Sequence, residues 1–444
     1  MSHSPALLTD LYELTMAASY FGRGMDRTAT FDLFIRRLPK QRNFLVVSGL
    51  EQALEYLGDL RFDEGSLDYL DSLEMFSDEF LAYLAGLRFT GDVWAMPEGE
   101  VAFGQEPLLS VTAPLIEAQI VESYLLNCLS SNTMVTSKAA RVALASRGKA
   151  FVDFSLRRDH GGDAAMQAAR ASYIAGSAAT SNVLAAKRYG IAPSGTMAHS
   201  YIMAFGDEEK AFRAFAQDFP DRAVLLIDTY DVEEGARKAA KVAIESRAGG
   251  NRVRGVRIDS GDLASLTTSV RKILDEAGLE DVAIFLSGDL DEYRIDQLLS
   301  DGVPADGFGV GTQLGTSGDA PSLGSAYKLV AYEGRPAIKL STDKITLPCP
   351  KQVHRSFQDG TLDHDVISMR DEAMEGRPLL RQVMEEGRKV HRESLDDMRD
   401  RCSDRLASLP ERLRSLRATD EPYEVRLSES ITSVVQGLSG PRRR

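Results

Sequence analysis

The chain has 444 residues, 43% of them hydrophobic and 27% charged, with a net charge of −14. That length supplies two or three domains and a large core, and the composition excludes wholesale disorder. The acidic balance argues against nucleic acid or an anionic membrane as the main partner, while clustered arginines can still bind a small anion.

No apolar run approaches the roughly 20 residues of a membrane span. The start, Met1-Ser2-His3-Ser4-Pro5, lacks the basic and apolar regions of a secretory signal. Cys128, Cys349 and Cys402 are too widely spaced for a zinc pattern and fit a reducing compartment. A cytoplasmic location is therefore expected.

Residues 7–22 read as a helix, entered near Thr9 or Asp10 and left at Gly22. Thr28 to Arg36 alternates as a half-buried strand does. Residues 44–88 read as helical with breaks at Gly58 and Gly65, residues 89–115 as small antiparallel strands, and residues 116–147 as strongly helical. From Phe151 to about Leu340 strands are expected near 151, 192, 223, 254, 282, 307 and 326, with central spacings close to a strand-helix unit. Residues 370–415 read as a charged helical tail, and Pro441-Arg442-Arg443-Arg444 as frayed. The domains expected are 1–147, an α+β domain with connecting helices, 148–340, an α/β barrel-like catalytic domain, and 341–444, a helical extension packing on the first.

Within the barrel region, apolar runs repeatedly end in Ser, Thr, Asp, Arg or Gly. Such runs read as buried parallel strands, and polar strand ends are how a barrel collects a site. His199 lies in Gly195-Thr196-Met197-Ala198-His199-Ser200. A lone histidine after a strand is more often structural, but its small neighbours leave room for a ligand, and neutral imidazole attacks phosphorus well. Arg257, Asp259 and Asp262 form a charged group whose ordinary reading is a solvated ion-pair cluster. Against that, Asp259 and Asp262 flank Ser260-Gly261 in a turn that can aim both carboxylates at one point, enough to hold Mg²⁺ and through it a pyrophosphate. Arg257 offers a planar fork to a carboxylate or phosphate. Gly307, Gly309 and Gly311 expose backbone N–H groups to a phosphate, although packing accounts for them equally well. Arg157 and Arg158 follow the run 151–155, ordinarily as solvent-facing charge. Tyr12 reads by default as a core aromatic. No Walker loop is present, so ATP use needs another cradle.

Together these motifs resemble the nicotinate phosphoribosyltransferase family. The resemblance rests on Leu8-Thr9-Asp10-Leu11-Tyr12-Glu13-Leu14-Thr15, Arg157-Arg158, Ser181-Asn182-Val183-Leu184, Gly195 to Ser200, and Leu226-Ile227-Asp228-Thr229-Tyr230. It continues through Gly255 to Asp262, Gly309-Val310-Gly311-Thr312 and Ser322 to Val330. It runs from residue 7 to about 340 and weakly onward. Order and spacing, not any single motif, make it specific.

The resemblance implies an irregular α/β barrel with an α+β N-terminal domain completed by C-terminal chain. It implies that nicotinate and 5-phosphoribosyl 1-pyrophosphate give nicotinate mononucleotide and pyrophosphate in NAD salvage. Mg²⁺ would assist, and ATP, as co-substrate, would be coupled through a phosphohistidine at His199. Asp228 and Arg157 match active-site residues, and Tyr12, Thr196 and Arg257 match nicotinate-binding positions. Ser181 aligns where nicotinamide enzymes carry an aspartate, with an offset to Thr180 or Asn182 open. Thr312 matches a phosphate contact, and Asp259, Ser260, Asp262, Gly288, Asp289, Gly309 and Gly311 are expected around the phosphoribosyl and pyrophosphate groups. A homodimer with shared sites is expected, in which Tyr12 serves the neighbouring barrel. The alternatives are a quinolinate- or nicotinamide-type phosphoribosyltransferase and, from another class, a catalytically silent barrel scaffold.

Overall fold

The computed structural model describes residues 5–340 and 346–439; the terminal arginine run falls outside them. The chain divides into two compact units, 1–137 with 322–444, and 138–321.

The first unit is built on a seven-stranded sheet. Its strands run in the order Arg335–Pro336, Ser325–Tyr332, Thr28–Ile35, Pro107–Pro114, Asp92–Ala95, Arg381–Glu385 and Arg388–Lys389. Every neighbouring pair is antiparallel. The strand expected near 326 therefore does not belong to the barrel: it pairs with Thr28–Ile35 over nearly its whole length. The unit boundary consequently falls at 321 and not 340. At the other end it falls inside the helix Glu122–Ala145 rather than at 147. The helical reading of 44–88 needs one amendment, since Leu45–Val46 pairs with Val101–Ala102.

The helical reading of the C-terminal chain is corrected more deeply. Lys351–Gln358, Thr361–Met369, Arg377–Pro378 and Glu424–Leu427 form a four-stranded sheet. Within 370–415 only Leu395–Ser408 and Glu411–Arg414 are helical. Asp359 and Gly360, both at positive φ, make the two-residue turn that joins the first two of these strands. Charge hides the alternation here. Buried Val383 lies in a strand otherwise rich in polar residues, and its partner Asp92–Ala95 is remote in sequence. C-terminal chain thus completes the N-terminal sheet. Fully buried Arg355 adds ion pairs to Asp365 at 2.6 Å and to Glu100 at 2.8 Å.

The second unit carries six parallel strands: β1 (Ala150–Asp153), β2 (Ala179–Thr180), β3 (Val224–Leu226), β4 (Gly255–Ile258), β5 (Ala283–Leu286) and β6 (Gly307–Val310). Their order, β2-β1-β6-β5-β4-β3, makes a curled half-barrel sheet. The strand expected near 192 reduces to one bridge, Thr180 to Pro193. Eight helices intervene or follow: α1 (Gly162–Ile174), α2 (Val183–Tyr189), α3 (His199–Phe205), α4 (Glu208–Asp218), α5 (Val232–Ala248), α6 (Leu263–Glu276), α7 (Glu292–Ser300) and α8 (Thr312–Gly315). Most enter through an aspartate or asparagine cap. Asn182, Asp207, Asp231, Asp262 and Asp291 each accept a backbone N–H of the first turn. After β2, β3, β4 and β5 this puts a polar residue between the strand's C-terminal end and the next helix, where a site can form. No described helix is long and apolar enough to cross a membrane.

Candidate active site

The strand C-termini converge on a cavity of about 760 Å³. Arg157 and Arg158 enter after β1 and Ser181 after β2. Residues 195–200 precede or open α3, and Arg257 and Asp259 come from β4. Ser287, Gly288 and Asp289 follow β5, with Gly309, Gly311 and Thr312 at β6. Two other cavities, in the first unit, measure about 10 Å³ each, about the room one water requires.

Arg257 is the best-tethered cation of the site. Its side chain is only 13% exposed and lies 3.3 Å from an Asp259 oxygen. Nη1 donates to the Thr196 hydroxyl at 2.8 Å. The guanidinium also stands 5.8 Å from the ring centre of Phe154, another lining residue. Phe154, just past the end of β1, shares its apolar run with Phe151, so the sequence does not set it apart from a core aromatic. Ser287, also missed, donates its hydroxyl to Asp259.

Asp228 is not in the cavity wall but directly behind it. Its Oδ2 accepts the Asp259 backbone N–H at 2.9 Å and the Ser260 hydroxyl at 2.7 Å. Oδ1 is buried without a hydrogen bond and lies 4.0 Å from His199 Nε2. On the other side of the imidazole, Nδ1 contacts the Thr229 hydroxyl at 3.1 Å. Nothing in the sequence of the Leu226–Tyr230 motif marks Thr229 for this contact. One carboxylate therefore holds the Asp259-Ser260 turn and faces the histidine.

Three expected positions lie elsewhere. Ser260 is turned to Asp228 and is not a lining residue. Asp262 caps α6, accepting from Ala264 N at 3.2 Å, and its pKa is lowered by the Ser265 hydroxyl. The pairing of Asp259 with Asp262 is thus corrected: Asp289, at φ 47°, is the second carboxylate in the wall. Tyr12 belongs to the first unit, on the helix Leu11–Phe21, and is 47% exposed, so the core-aromatic reading fails. The next residue, Glu13, anchors that helix by accepting the Ser123 backbone N–H at 3.0 Å.

The three positions around Ser181 differ in geometry. Thr180 is buried and donates to Asp153; Asn182 caps α2 and donates to Ala165. Of the three, only Ser181 lines the cavity. The glycines of β6 have packing reasons as well: a Cβ at Gly307 would meet the Phe285 ring at 2.7 Å, and one at Gly309 the Phe154 ring at 2.5 Å.

Among the described residues no group of three His, Cys, Asp or Glu side chains could hold a metal alone. The two wall carboxylates suit a Mg²⁺ that keeps waters and takes its remaining ligands from a phosphate-bearing substrate.

Two family models match: the nicotinate phosphoribosyltransferase N-terminal domain over residues 7–130, and the nicotinate phosphoribosyltransferase family over residues 149–358. The nicotinate phosphoribosyltransferase pncB2 of Mycobacterium tuberculosis is 49% identical over 98% of this chain and 94% of its own length. That of Bacillus subtilis is 41% identical over 85% and 79%. The crystal structure of human nicotinic acid phosphoribosyltransferase superposes with a TM-score of 0.86 at 29% identity, covering 97% of this chain and 99% of that one. With both models matched and relatives this similar along nearly its whole length, the chain belongs to the nicotinate phosphoribosyltransferase family.

Proposed function

We propose that this enzyme joins nicotinate to 5-phosphoribosyl 1-pyrophosphate, releasing pyrophosphate and forming nicotinate mononucleotide for NAD salvage. ATP hydrolysis is coupled to this through phosphorylation of His199. The observation that carries the reading is the cavity's division of labour. A tethered guanidinium, Arg257, sits beside an aromatic ring, with two exposed arginines and a glycine-rich strand end in the same wall.

In the reaction the pyridine nitrogen forms a bond to ribose C1 as the C1–oxygen bond to pyrophosphate breaks, and the leaving group takes the electron pair. Arg257 grips the carboxylate and Phe154 offers a ring face, so that the nitrogen is held at C1. Arg157 and Arg158 stabilise the charge that develops on pyrophosphate. Mg²⁺, held by Asp259 and Asp289 with the substrate's oxygens, would neutralise phosphate charge. In a dimer, exposed Tyr12 would close the partner's ring-binding site.

For the ATP step, Asp228 faces Nε2 and favours the proton there, leaving the Nδ1 lone pair for γ-phosphorus. Nitrogen–phosphorus bonding displaces ADP, and water later releases phosphate. Incubation with γ-labelled ATP should yield an acid-labile, base-stable label. His199→Ala should carry none, yet retain some ATP-independent synthesis. Equal labelling of that variant would remove His199 from the scheme.

Ser181 tunes the choice of base. Its hydroxyl can donate to a carboxylate, whereas an aspartate there would repel nicotinate at a cost of several kcal/mol, ~2 or more. Ser181→Asp should depress kcat/KM for nicotinate far more than for nicotinamide. Equal losses for both bases would show that Ser181 does not read the acid group. The quinolinate and silent-scaffold alternatives have no observation in their favour.

A further inference from the structure

The loop that brings Arg157 and Arg158 into the cavity is tied down at both ends by a carboxyl pair sharing one serine. Ser155, fully buried, lies 2.6 Å from Asp153 Oδ1 and 3.0 Å from Asp159 Oδ2 through the same hydroxyl. A hydroxyl has one proton and can donate to only one of them. Asp153 has the stronger claim, because it also accepts the Ser155 backbone N–H at 2.9 Å and the Thr180 hydroxyl at 2.7 Å. Three donors thus converge on Asp153.

Asp159 has no such support. Its Oδ1 is buried without a hydrogen-bond partner. It is pressed against α8 so closely that a Cβ on Gly315 would lie 1.8 Å from that oxygen. The contact at Oδ2 is therefore best made by a proton on Asp159, donated to the serine oxygen. Between the two anchors, Arg157 and Arg158 are exposed and reach the cavity, and neither has an acidic partner among the described residues.

We infer that Asp159 is a positioning residue: in its protonated form it clamps the Arg157-Arg158 loop against α8 and sets the site's affinity for the phosphate groups of its substrate. The inference rests on the proposed phosphate role of that arginine pair. Burial pushes the Asp159 carboxyl up from its usual range to about 6, with Asp153 repelling its charge; His160, and the Ser155 proton when it turns to Asp159 instead of Asp153, oppose the rise. The α8 segment, Thr312 to Gly315, carries no ionisable side chain, and α1 adds Asp163 and Arg170. With the pKa raised on folding, the clamp is intact at low pH and is lost as pH rises through about 6. Above that, two carboxylates oppose each other across one hydroxyl and the loop end is released.

The test compares wild type with Asp159→Asn, whose amide can make the same donation at every pH. Sulfate is the probe, as a competitive inhibitor against phosphoribosyl pyrophosphate, because its charge is constant from about pH 5.5 to about pH 8.5. The wild-type inhibition constant should rise about fivefold more across that range than that of the variant, with kcat much less affected. Gly315→Ala, which displaces the carboxyl, should bind sulfate weakly at every pH, and it serves if the asparagine variant folds poorly. Identical pH profiles for wild type and Asp159→Asn overturn the inference. If Arg157→Ala with Arg158→Ala leaves sulfate inhibition unchanged, the phosphate role of the loop is what fails.

Discussion

Arg257→Ala should raise the nicotinate KM by about two to three orders of magnitude, while the KM for phosphoribosyl pyrophosphate changes far less. The cost of truncating one partner of a buried charge pair is about 2–5 kcal/mol, and Arg257 meets that condition, with its side chain 13% exposed. Its present partners do not compete strongly. The Asp259 contact is 3.3 Å and uses one nitrogen, and Asp259 also accepts the Ser287 hydroxyl. An incoming carboxylate can therefore take the guanidinium without leaving Asp259 unpaired. Arg257→Lys should recover only part of the loss, because an ammonium cannot hold a carboxylate through two parallel bonds while keeping the Thr196 contact. Steady-state kinetics varying each substrate in turn checks this. An unchanged nicotinate KM in both variants would remove Arg257 from the nicotinate site.

The parallel strands were legible because they are short apolar runs punctuated by polar residues. Those expected near 151, 223, 254, 282 and 307 begin within a residue or so of β1, β3, β4, β5 and β6. β2 was not, because two residues, Ala179 and Thr180, carry no periodicity. The strand Ser325–Tyr332 was visible as a strand, but nothing local reveals that its partner is Thr28–Ile35. The same limit governs the site. Ser260-Gly261-Asp262-Leu263 and Ser287-Gly288-Asp289-Leu290 are identical in sequence. Yet Asp262, at φ −78°, caps a helix, and Asp289, at φ 47°, faces the cavity. Backbone conformation separates them, and residue identity does not encode it. Residues of conspicuous chemistry, such as Arg257 in a strand and His199 at a helix start, stood out. Those that act by backing another group, such as Thr229 and Ser155, did not, since a hydroxyl beside a strand is ordinary.

Gly288→Ala should lower both stability and activity sharply, whereas Gly195→Ala should be nearly silent. Gly288 sits at φ 93°, where a side chain is strained by about 1–2 kcal/mol. Worse, its Cβ would lie 1.8 Å from the Asp259 carbonyl oxygen and 2.8 Å from its carbon. Those are backbone atoms, so no rotamer change relieves the clash, and overpacking of this kind costs about 1–3 kcal/mol. The segment forced to move is the turn whose N–H and hydroxyl are held by Asp228 and whose carboxylate contacts Arg257. One methyl group thus disturbs the Arg257 contact, the carboxylate proposed to hold Mg²⁺ and the carboxylate facing His199 together. Gly195 lines the same cavity but a Cβ there meets nothing within 4 Å, and its φ is not positive. Thermal unfolding and kcat/KM for both variants measure the contrast. Gly309→Ala should fall between them, because it strikes the Phe154 ring, a side chain that can yield. If Gly288→Ala matched Gly195→Ala in Tm and activity, the close approach of β5's exit to the Asp259 turn would not be what holds this site together.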